Sequence, residues 1–300
     1  MKYLLTGFSG FIGSHLTEKL LREGHGVIGI DRSIKWENLT DQNNPGLRIY
    51  HENIEGNIGD LFKGVDVMFH LAALTRPIWS IEHPLEVEEI NVRGTLKILQ
   101  HCVENKVRRL VFVSSSNVYG DQDLYPTPES VVPNPMNMYA LSKLIGEQYC
   151  KLFEKLYGLE FNAIRPFNAY GPRMPITGTY TSAVATYINA LKKDIPFIKF
   201  GDGEQRRDFV YIDDVIDQII LMSNSKVYGE VFNCGFGKNY SINEMLEMVR
   251  TIMGKRIEPE VIEKQYEPSQ TLADISKAEK LLGWKPKIDL AEGLERTING

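Results

Sequence analysis

Short β-branched and apolar runs alternate with longer amphipathic stretches through the first half of the chain. Strands are expected at 2–5, 27–30, 67–71, 110–113 and 161–164, and helices at 13–23, 84–105 and 139–157. The run Leu110-Val111-Phe112-Val113 lacks polar alternation, as a strand covered on both faces requires. A strand–helix–strand rhythm of this kind builds a parallel sheet with helices on each side. The pattern therefore predicts an α/β fold with a doubly wound parallel sheet. After Arg165 the rhythm loosens into Pro- and Gly-rich text (Pro166, Gly171, Pro172, Pro175, Gly178), where a second, smaller region begins. Within it Ser241 and Glu244, three residues apart, form a capping box that starts a helix over 241–253.

Composition narrows the function classes. With 300 residues, 43% hydrophobic and 24% charged, the chain is globular and needs no disulfide or metal staple. A net charge of −5 supplies no basic field for a polyanion, so nucleic acid is not an expected partner and any anionic ligand must be held locally. No apolar run approaches the roughly 18 residues of a membrane span. The apolar opening at 1–5 is interrupted by Gly7, Gly10 and Gly13, which argues against an export signal. Cys102, Cys150 and Cys234 are widely spaced, with no CxxC pair and no His ladder. That pattern predicts no metal site and fits a reducing cytoplasm. Cys102 and Cys150 are expected in the core, and Met245, Met248 and Met253 on a buried helix face.

Thr6-Gly7-Phe8-Ser9-Gly10-Phe11-Ile12-Gly13 directly follows the first strand and opens a helix, the context a dinucleotide fingerprint requires. Gly7 permits the tight turn, Gly10 lets backbone approach a pyrophosphate, and Gly13 allows close helix–strand packing. The helix N-terminus offers free N–H groups to the phosphates. Asp31 ends the second strand 18 residues past Gly13, where a carboxylate accepts from ribose hydroxyls and repels a 2′-phosphate. NAD is thus favoured over NADP, although Arg32 beside it is a residue type able to receive that phosphate.

Tyr139 and Lys143 stand four apart at the start of an amphipathic helix, so phenol and ammonium share one face. A nearby cation and a positively charged nicotinamide both favour phenolate and bring a poor base toward working pH. Ser114-Ser115-Ser116 follows the strand 110–113, at the sheet end where ligands of open α/β folds bind. One of these hydroxyls could complete a triad.

Six motifs occur in order: Thr6 to Gly13, His70-Leu71-Ala72-Ala73, Asn91-Val92-Arg93-Gly94-Thr95, Ser114 to Gly120, Tyr139 to Lys143, and Arg165 to Pro172. With Gly201-Asp202-Gly203-Glu204-Gln205-Arg206-Arg207-Asp208 and Ala273-Asp274-Ile275-Ser276-Lys277, the chain resembles, over nearly its whole length, an extended short-chain dehydrogenase/reductase of the nucleotide-sugar epimerase/dehydratase group. The resemblance implies a Rossmann-like NAD-binding domain at 1–167 and 209–234, and a nucleotide-sugar-binding domain at 168–208 and 235–300. It makes Tyr139 the catalytic base, Lys143 the residue that holds the nicotinamide ribose, and Ser115 the hydroxyl that bridges to the sugar oxygen. Gly7, Gly10, Phe11, Ile12, Gly13, Asp31, Asn53, Ile54, Leu71, Ala72 and Ala73 would contact the cofactor. Asn168, Phe200, Arg207, Lys264 and Thr271 would contact the substrate. His70 is expected to pack beside the cofactor without a catalytic role.

Within that group the residues after Ser115 discriminate. Family dehydratases carry acidic residues there, and decarboxylases of uridine diphosphoglucuronate tend to carry Glu where this chain has Asn117. What the resemblance then implies is 4-epimerisation of a UDP-hexose through a transient 4-keto sugar, in a cytoplasmic homodimer paired through the helices near 91–105 and 139–157. A 4-keto-sugar reductase and a non-catalytic NAD-sensing module are the alternatives. The chain departs from the group at Asn53, where an Asp commonly meets the adenine amino group. It departs again at Lys264, where an Arg usually grips the diphosphate; Lys binds phosphate as a point charge. Thr271 stands where some members carry a bulky Tyr, which leaves room for an acetamido group.

Overall fold

The computed structural model describes residues 1–176, 182–263 and 267–300. In chain order the elements begin with β1 (Lys2–Thr6), α1 (Phe11–Arg22), β2 (Gly26–Asp31), β3 (Leu47–His51) and β4 (Val67–His70). Two short helices, α2 (Trp79–Glu82) and α3 (Pro84–Val87), precede a π-helical turn (Glu88–Arg93) and α4 (Gly94–Glu104). Next come β5 (Arg109–Val113), α5 (Met138–Tyr157), β6 (Glu160–Pro166), α6 (Ala183–Lys193), β7 (Ile198–Phe200), β8 (Arg206–Asp208) and α7 (Ile212–Asn224). The chain closes with β9 (Glu230–Cys234), β10 (Asn239–Ser241), α8 (Ile242–Met253), β11 (Glu260–Ile262), α9 (Ser276–Leu282) and α10 (Leu290–Asn299). Among the described residues no helix is long and apolar enough to cross a membrane, and no cluster of His, Cys, Asp and Glu could hold a metal ion.

The chain divides into two units. Unit 1 comprises Met1–Val118, Pro135–Arg165 and Ile216–Phe232; unit 2 comprises Tyr119–Asn134, Pro166–Val215 and Asn233–Gly300. Residues 119–134, 166–167, 209–215 and 233–234, placed with the first domain from sequence, thus lie in unit 2. Backbone pairing is the reason: Thr127 donates to the Leu272 carbonyl and accepts from the Asp274 N–H, and Tyr170 bridges to Tyr211.

The expected doubly wound sheet is present, with strand order β3-β2-β1-β4-β5-β6-β9 and parallel pairing from β3 through β6. Its central strands are apolar because both faces are covered. Leu4, Met68, Leu110, Phe112 and Phe161 are buried against Ile98, Leu99 and Cys102 of α4 and Cys150 and Phe153 of α5, each large side chain contributing about 1.5–3 kcal/mol on burial. Both cysteines are core residues, as expected. The strand β3 escapes the sequence pattern because, as the edge strand, it stays half-exposed with no clean alternation.

The single helix expected over 84–105 is instead three segments. Pro84 starts α3, and the π turn interrupts the 3.6 period before α4. A π turn inserts one residue and redirects side chains. Here Asn91 turns inward, its side-chain amide donating to the Leu74 carbonyl (3.0 Å) and the Ser142 hydroxyl (2.9 Å) and accepting from the Leu74 N–H (2.8 Å). By contrast α5 is one helix of 20 residues, capped by the Asn137 side chain on the Ala140 N–H and closed by Gly158 at φ 71°.

In unit 2, β8 and β10 pair antiparallel and β7 pairs with β11 in parallel. The capping box at Ser241 and Glu244 forms in both directions. On α8 the buried face is Ile242, Met245, Leu246 and Val249, while Met248 and Met253 are only half-buried; of the three methionines expected there, one is in the core.

Candidate active site

In unit 1 the strand order reverses between β1 and β4, and open α/β sheets bind ligands at such a reversal, beyond the carboxyl ends of the strands. The glycine loop leaves β1 at this point. Gly7 adopts φ 70° and donates to the Ile30 carbonyl (2.8 Å), while a Cβ on Gly13 would stand 2.0 Å from the Gly7 carbonyl oxygen. Larger residues are excluded at both positions, one by conformation and one by volume. Gly10 is the N-cap of α1 and offers no side chain to the first-turn amides, so they remain available to an anion. Phe11 and Ile12 follow in that first turn. On the β4 side Leu71, Ala72 and Ala73 are half-buried, and a Cβ on Gly7 would approach the Ala72 nitrogen to 2.9 Å. The loop and the β4 end thus lie against each other with room for backbone only, a cradle that fits a dinucleotide.

Asp31 sits half-buried at the end of β2, accepting from the Ser9 hydroxyl (2.7 Å) and the Ser33 N–H (3.1 Å). Ser9 is itself tied to the Lys35 N–H and the Asn38 amide. The carboxylate is thereby fixed at the end of β2, while Arg32 is exposed. The wild type should bind NAD more tightly than NADP, and Asp31→Ser should narrow the gap by roughly tenfold or more, the scale of a hydrogen bond to a charged group. Titration of both cofactors into the two proteins measures this, and equal wild-type affinities would remove Asp31 as the selector. Farther along, Asn53 is exposed and donates to Glu55 (3.3 Å). The Ile54 side chain lies in the core, where a Cβ on Gly94 would meet it at 2.5 Å, so only its backbone could face a cofactor.

Beneath the loop His70 is fully enclosed. Its Nδ1 meets Thr6 Oγ1 at 2.7 Å and its Nε2 meets Thr95 Oγ1 at 2.9 Å. Because Thr95 gives its own proton to the Asn91 carbonyl (2.6 Å), Nε2 must donate and Nδ1 accept. Burial, reinforced by the Lys143 charge, pulls the imidazole down to about 3. His70 is thus a neutral support between Thr6 and Thr95.

The first two of the three serines after β5 separate clearly. Ser114 donates to Glu147 (2.5 Å), a fully buried carboxylate gripped bidentately by Arg165 at 2.8 and 2.6 Å. Its hydroxyl is therefore spent on structure. Ser115 is nearly buried, and its oxygen accepts from both the N–H (3.2 Å) and the side-chain amide (3.1 Å) of Asn117. Tyr139 and Lys143 lie in the first turns of α5, 7% and 4% exposed. The Tyr139 N–H donates to Ser80 (3.1 Å) and its carbonyl accepts from Ser142 (2.7 Å), so the helix start is held from two sides. Burial pushes the phenol above its ordinary range, and hydrogen bonding with Ser115 draws it back. Lys143 donates to the Val113 carbonyl (2.8 Å). Burial brings its ammonium down to about 8 against the opposing pull of Cys150 and Glu147. A hydroxyl, a phenol and an ammonium on adjoining elements can pass a proton to or from a bound alcohol oxygen.

Unit 2 gathers most of the expected substrate residues. Asn168 is exposed at φ 36°, and its amide donates to the Asp208 carbonyl (3.0 Å) and to Thr271 Oγ1 (3.2 Å). Phe200 ends β7, half-buried, and its carbonyl accepts from Gln205 (3.1 Å). Arg207 in β8 is nearly buried and its guanidinium pairs with Glu267 (2.9 Å). Lys264 lies outside the described residues. Sequence reasoning missed the braces: Ser80, Asn91 and Ser142 around Tyr139, and the Glu147–Arg165 pair behind Ser114. Glu147 alone carried a legible signal, standing four residues beyond Lys143 on the same helix face.

Residues 3–235 match the family model described as the NAD dependent epimerase/dehydratase family. The UDP-glucose 4-epimerase of Mycolicibacterium smegmatis is 35% identical over 308 residues, spanning 99% of this chain and 97% of that protein. Among solved structures, the UDP-N-acetylglucosamine 4-epimerase of Methanobrevibacter ruminantium M1, in complex with UDP-N-acetylmuramic acid, superposes with a TM-score of 0.96 at 33% identity, covering 99% of this chain and 97% of that one. The UDP-glucuronic acid 4-epimerase of Bacillus cereus, in complex with UDP-glucuronic acid and NAD, gives 0.92 at 33% identity, covering 100% and 98%. With the glycine cradle and the Ser115, Tyr139 and Lys143 cluster in place, the chain belongs to the NAD dependent epimerase/dehydratase family and is an enzyme whose cofactor is NAD.

Proposed function

We propose that this enzyme interconverts UDP-hexoses epimeric at carbon 4, through a transient 4-keto sugar and with one NAD retained across turnovers. The observation that carries this reading is the environment of Ser115: among the described residues its oxygen is met by the two N–H donors of Asn117 and by the Tyr139 phenol, groups that orient a hydroxyl without eliminating one. Tyr139 takes the proton of the 4-hydroxyl, Ser115 relays or orients it, and Lys143 supplies the positive charge that stabilises phenolate. NAD, when bound in the glycine cradle, would supply the hydride acceptor and donor for carbon 4. Tyr139 then gives the proton back, so the two half-reactions need no further acid or base. Asn168, Phe200, Arg207 and Lys264 would hold the nucleotide sugar, with Arg207 suited to the diphosphate.

The test is incubation of the NAD-loaded protein with UDP-glucose and with UDP-N-acetylglucosamine, following the 4-epimers by chromatography. Product formed without added coenzyme supports an epimerase; a protein that leaves both sugars unchanged but consumes NADH stoichiometrically on a UDP-4-keto sugar would be a reductase, and one inert toward all three a sensor. Both sugars should react, because Thr271, whose hydroxyl meets Asn168, leaves volume beside the sugar's carbon 2. Thr271→Tyr should lower kcat/KM for the N-acetyl sugar by roughly ten- to a hundredfold relative to UDP-glucose, the effect of steric overlap of about 1–3 kcal/mol. Proportional losses on both sugars would show that residue 271 is not the gate.

We also propose a homodimer joined through α4 and α5. Leu141, Leu152 and Leu156 on α5 are 37%, 46% and 58% exposed, an apolar stripe that a second copy would cover. Three buried, unpaired cysteines fit a cytoplasmic setting.

A further inference from the structure

We propose that Asp208 is the positioning residue for the nucleotide-sugar side chains of unit 2, setting through its carboxylate and its own peptide groups where Asn168 and Thr271 stand. The inference rests on the reading of those two residues given above. Asp208 ends β8 and is fully buried. One carboxylate oxygen accepts from the Phe236 N–H (2.7 Å), the other from the Gly237 N–H (3.0 Å) and the Ala273 N–H (3.0 Å). Burial lifts the acid to about 6 against those three donors, so near neutral pH they face a charged acceptor. Charge-assisted bonds of this kind exceed neutral ones in strength.

The same residue's main chain reaches the substrate side chains. Its N–H approaches Thr271 Oγ1 (3.3 Å), and its carbonyl accepts from Asn168 Nδ2 (3.0 Å), which also meets Thr271 Oγ1 (3.2 Å). Asn168, Asp208 and Thr271 thus close a triangle whose far corner is fastened by the carboxylate to residues 236, 237 and 273. Gly235 is built around that corner: a Cβ there would stand 2.5 Å from the Ala273 Cβ and 2.7 Å from Asp208 Oδ2. Asn168 stands at φ 36°, a left-handed conformation that Asn tolerates better than most side chains. Losing the carboxylate would release the 271–273 segment and the Asp208 peptide together, displacing both side chains without touching the Ser115, Tyr139 and Lys143 cluster.

Asp208→Asn tests this, because it preserves shape but turns one acceptor oxygen into a donor that must face an N–H. The wild type, Asp208→Asn and Asn168→Ala, each NAD-loaded, are compared for kcat and KM on UDP-glucose, for UDP affinity by calorimetry, and for NAD content. The expected result is a KM and a UDP dissociation constant raised roughly ten- to a hundredfold in both variants, the scale of an ångström's misplacement, with kcat within about threefold and NAD content unchanged. A raised KM in Asn168→Ala alone would overturn the positioning role, and so would a parallel loss of kcat and NAD in Asp208→Asn. If neither variant altered KM or UDP binding, the reading of Asn168 would fall, and the inference with it. Should Asp208→Asn not fold, Thr271→Val replaces it: loss of the hydroxyl that joins the Asp208 N–H to Asn168 should raise KM alone, and an unchanged KM overturns the proposal.

Discussion

Tyr139→Phe should lower turnover by roughly 10² or more, the contribution of a positioned general acid–base, while the fold and the NAD content stay those of the wild type. The phenol oxygen is the only group removed, and its hydrogen bond is the one with Ser115; the helix start is held through the Tyr139 peptide by Ser80 and Ser142, contacts that Phe retains. The ring is buried and apolar apart from its hydroxyl, so exchange for Phe leaves packing intact. Burial raises the phenol's pKa, which makes the neighbouring hydroxyl and ammonium necessary for any phenolate to form, and their removal should each cost rate through Tyr139. Single-turnover reduction of bound NAD by the UDP-sugar, monitored by absorbance, isolates the step. A Tyr139→Phe protein that reduces its NAD at the wild-type rate would take this residue out of the chemistry.

Glu147→Ala carries the largest expected loss of stability. Arg165 is buried and donates to both carboxylate oxygens of Glu147, and Ser114 directs its hydroxyl to the same group. Deleting one partner of a buried ion pair costs about 3–5 kcal/mol, because the remaining charge stays desolvated. For a chain of this size that corresponds to a fall in Tm of roughly 10 °C. Glu147→Gln, which keeps an acceptor for Ser114, should fall between wild type and Ala. Urea denaturation of the three proteins provides the free energies, and a Glu147→Ala protein within about 0.5 kcal/mol of wild type, the range of ordinary surface substitutions, would refute the assignment. A functional consequence follows. Burial lowers the Lys143 ammonium and Glu147 opposes it, so Glu147→Ala should also lower the charged fraction of Lys143.

Local chemistry made much of the fold legible. The strands of the central sheet announce themselves through unbroken apolar runs because both faces are covered, and α5 and α8 through cap residues that satisfy their first-turn N–H groups. The edge strand β3 is half-exposed and so carries no such signal. The break at 88–93 was equally silent, since Glu-Glu-Ile-Asn-Val-Arg has an ordinary helical composition. What widens that turn is the bond of Asn91 to Leu74 and Ser142, residues 17 and 51 positions away.

The sequence by itself determined the α/β class, the glycine cradle and Asp31 at the strand end, and the Tyr139 and Lys143 pair, because each depends on residues within one or two turns of one another. Tertiary structure decided which serine faces Tyr139, since α5 and β6 set the Glu147–Arg165 pair against Ser114 while α5 brings Tyr139 to Ser115. It also decided that Asn168, Asp208 and Thr271, separated by up to 103 positions, share one network. Contacts of that kind are chosen by strand pairing and crossover, and no local propensity encodes them.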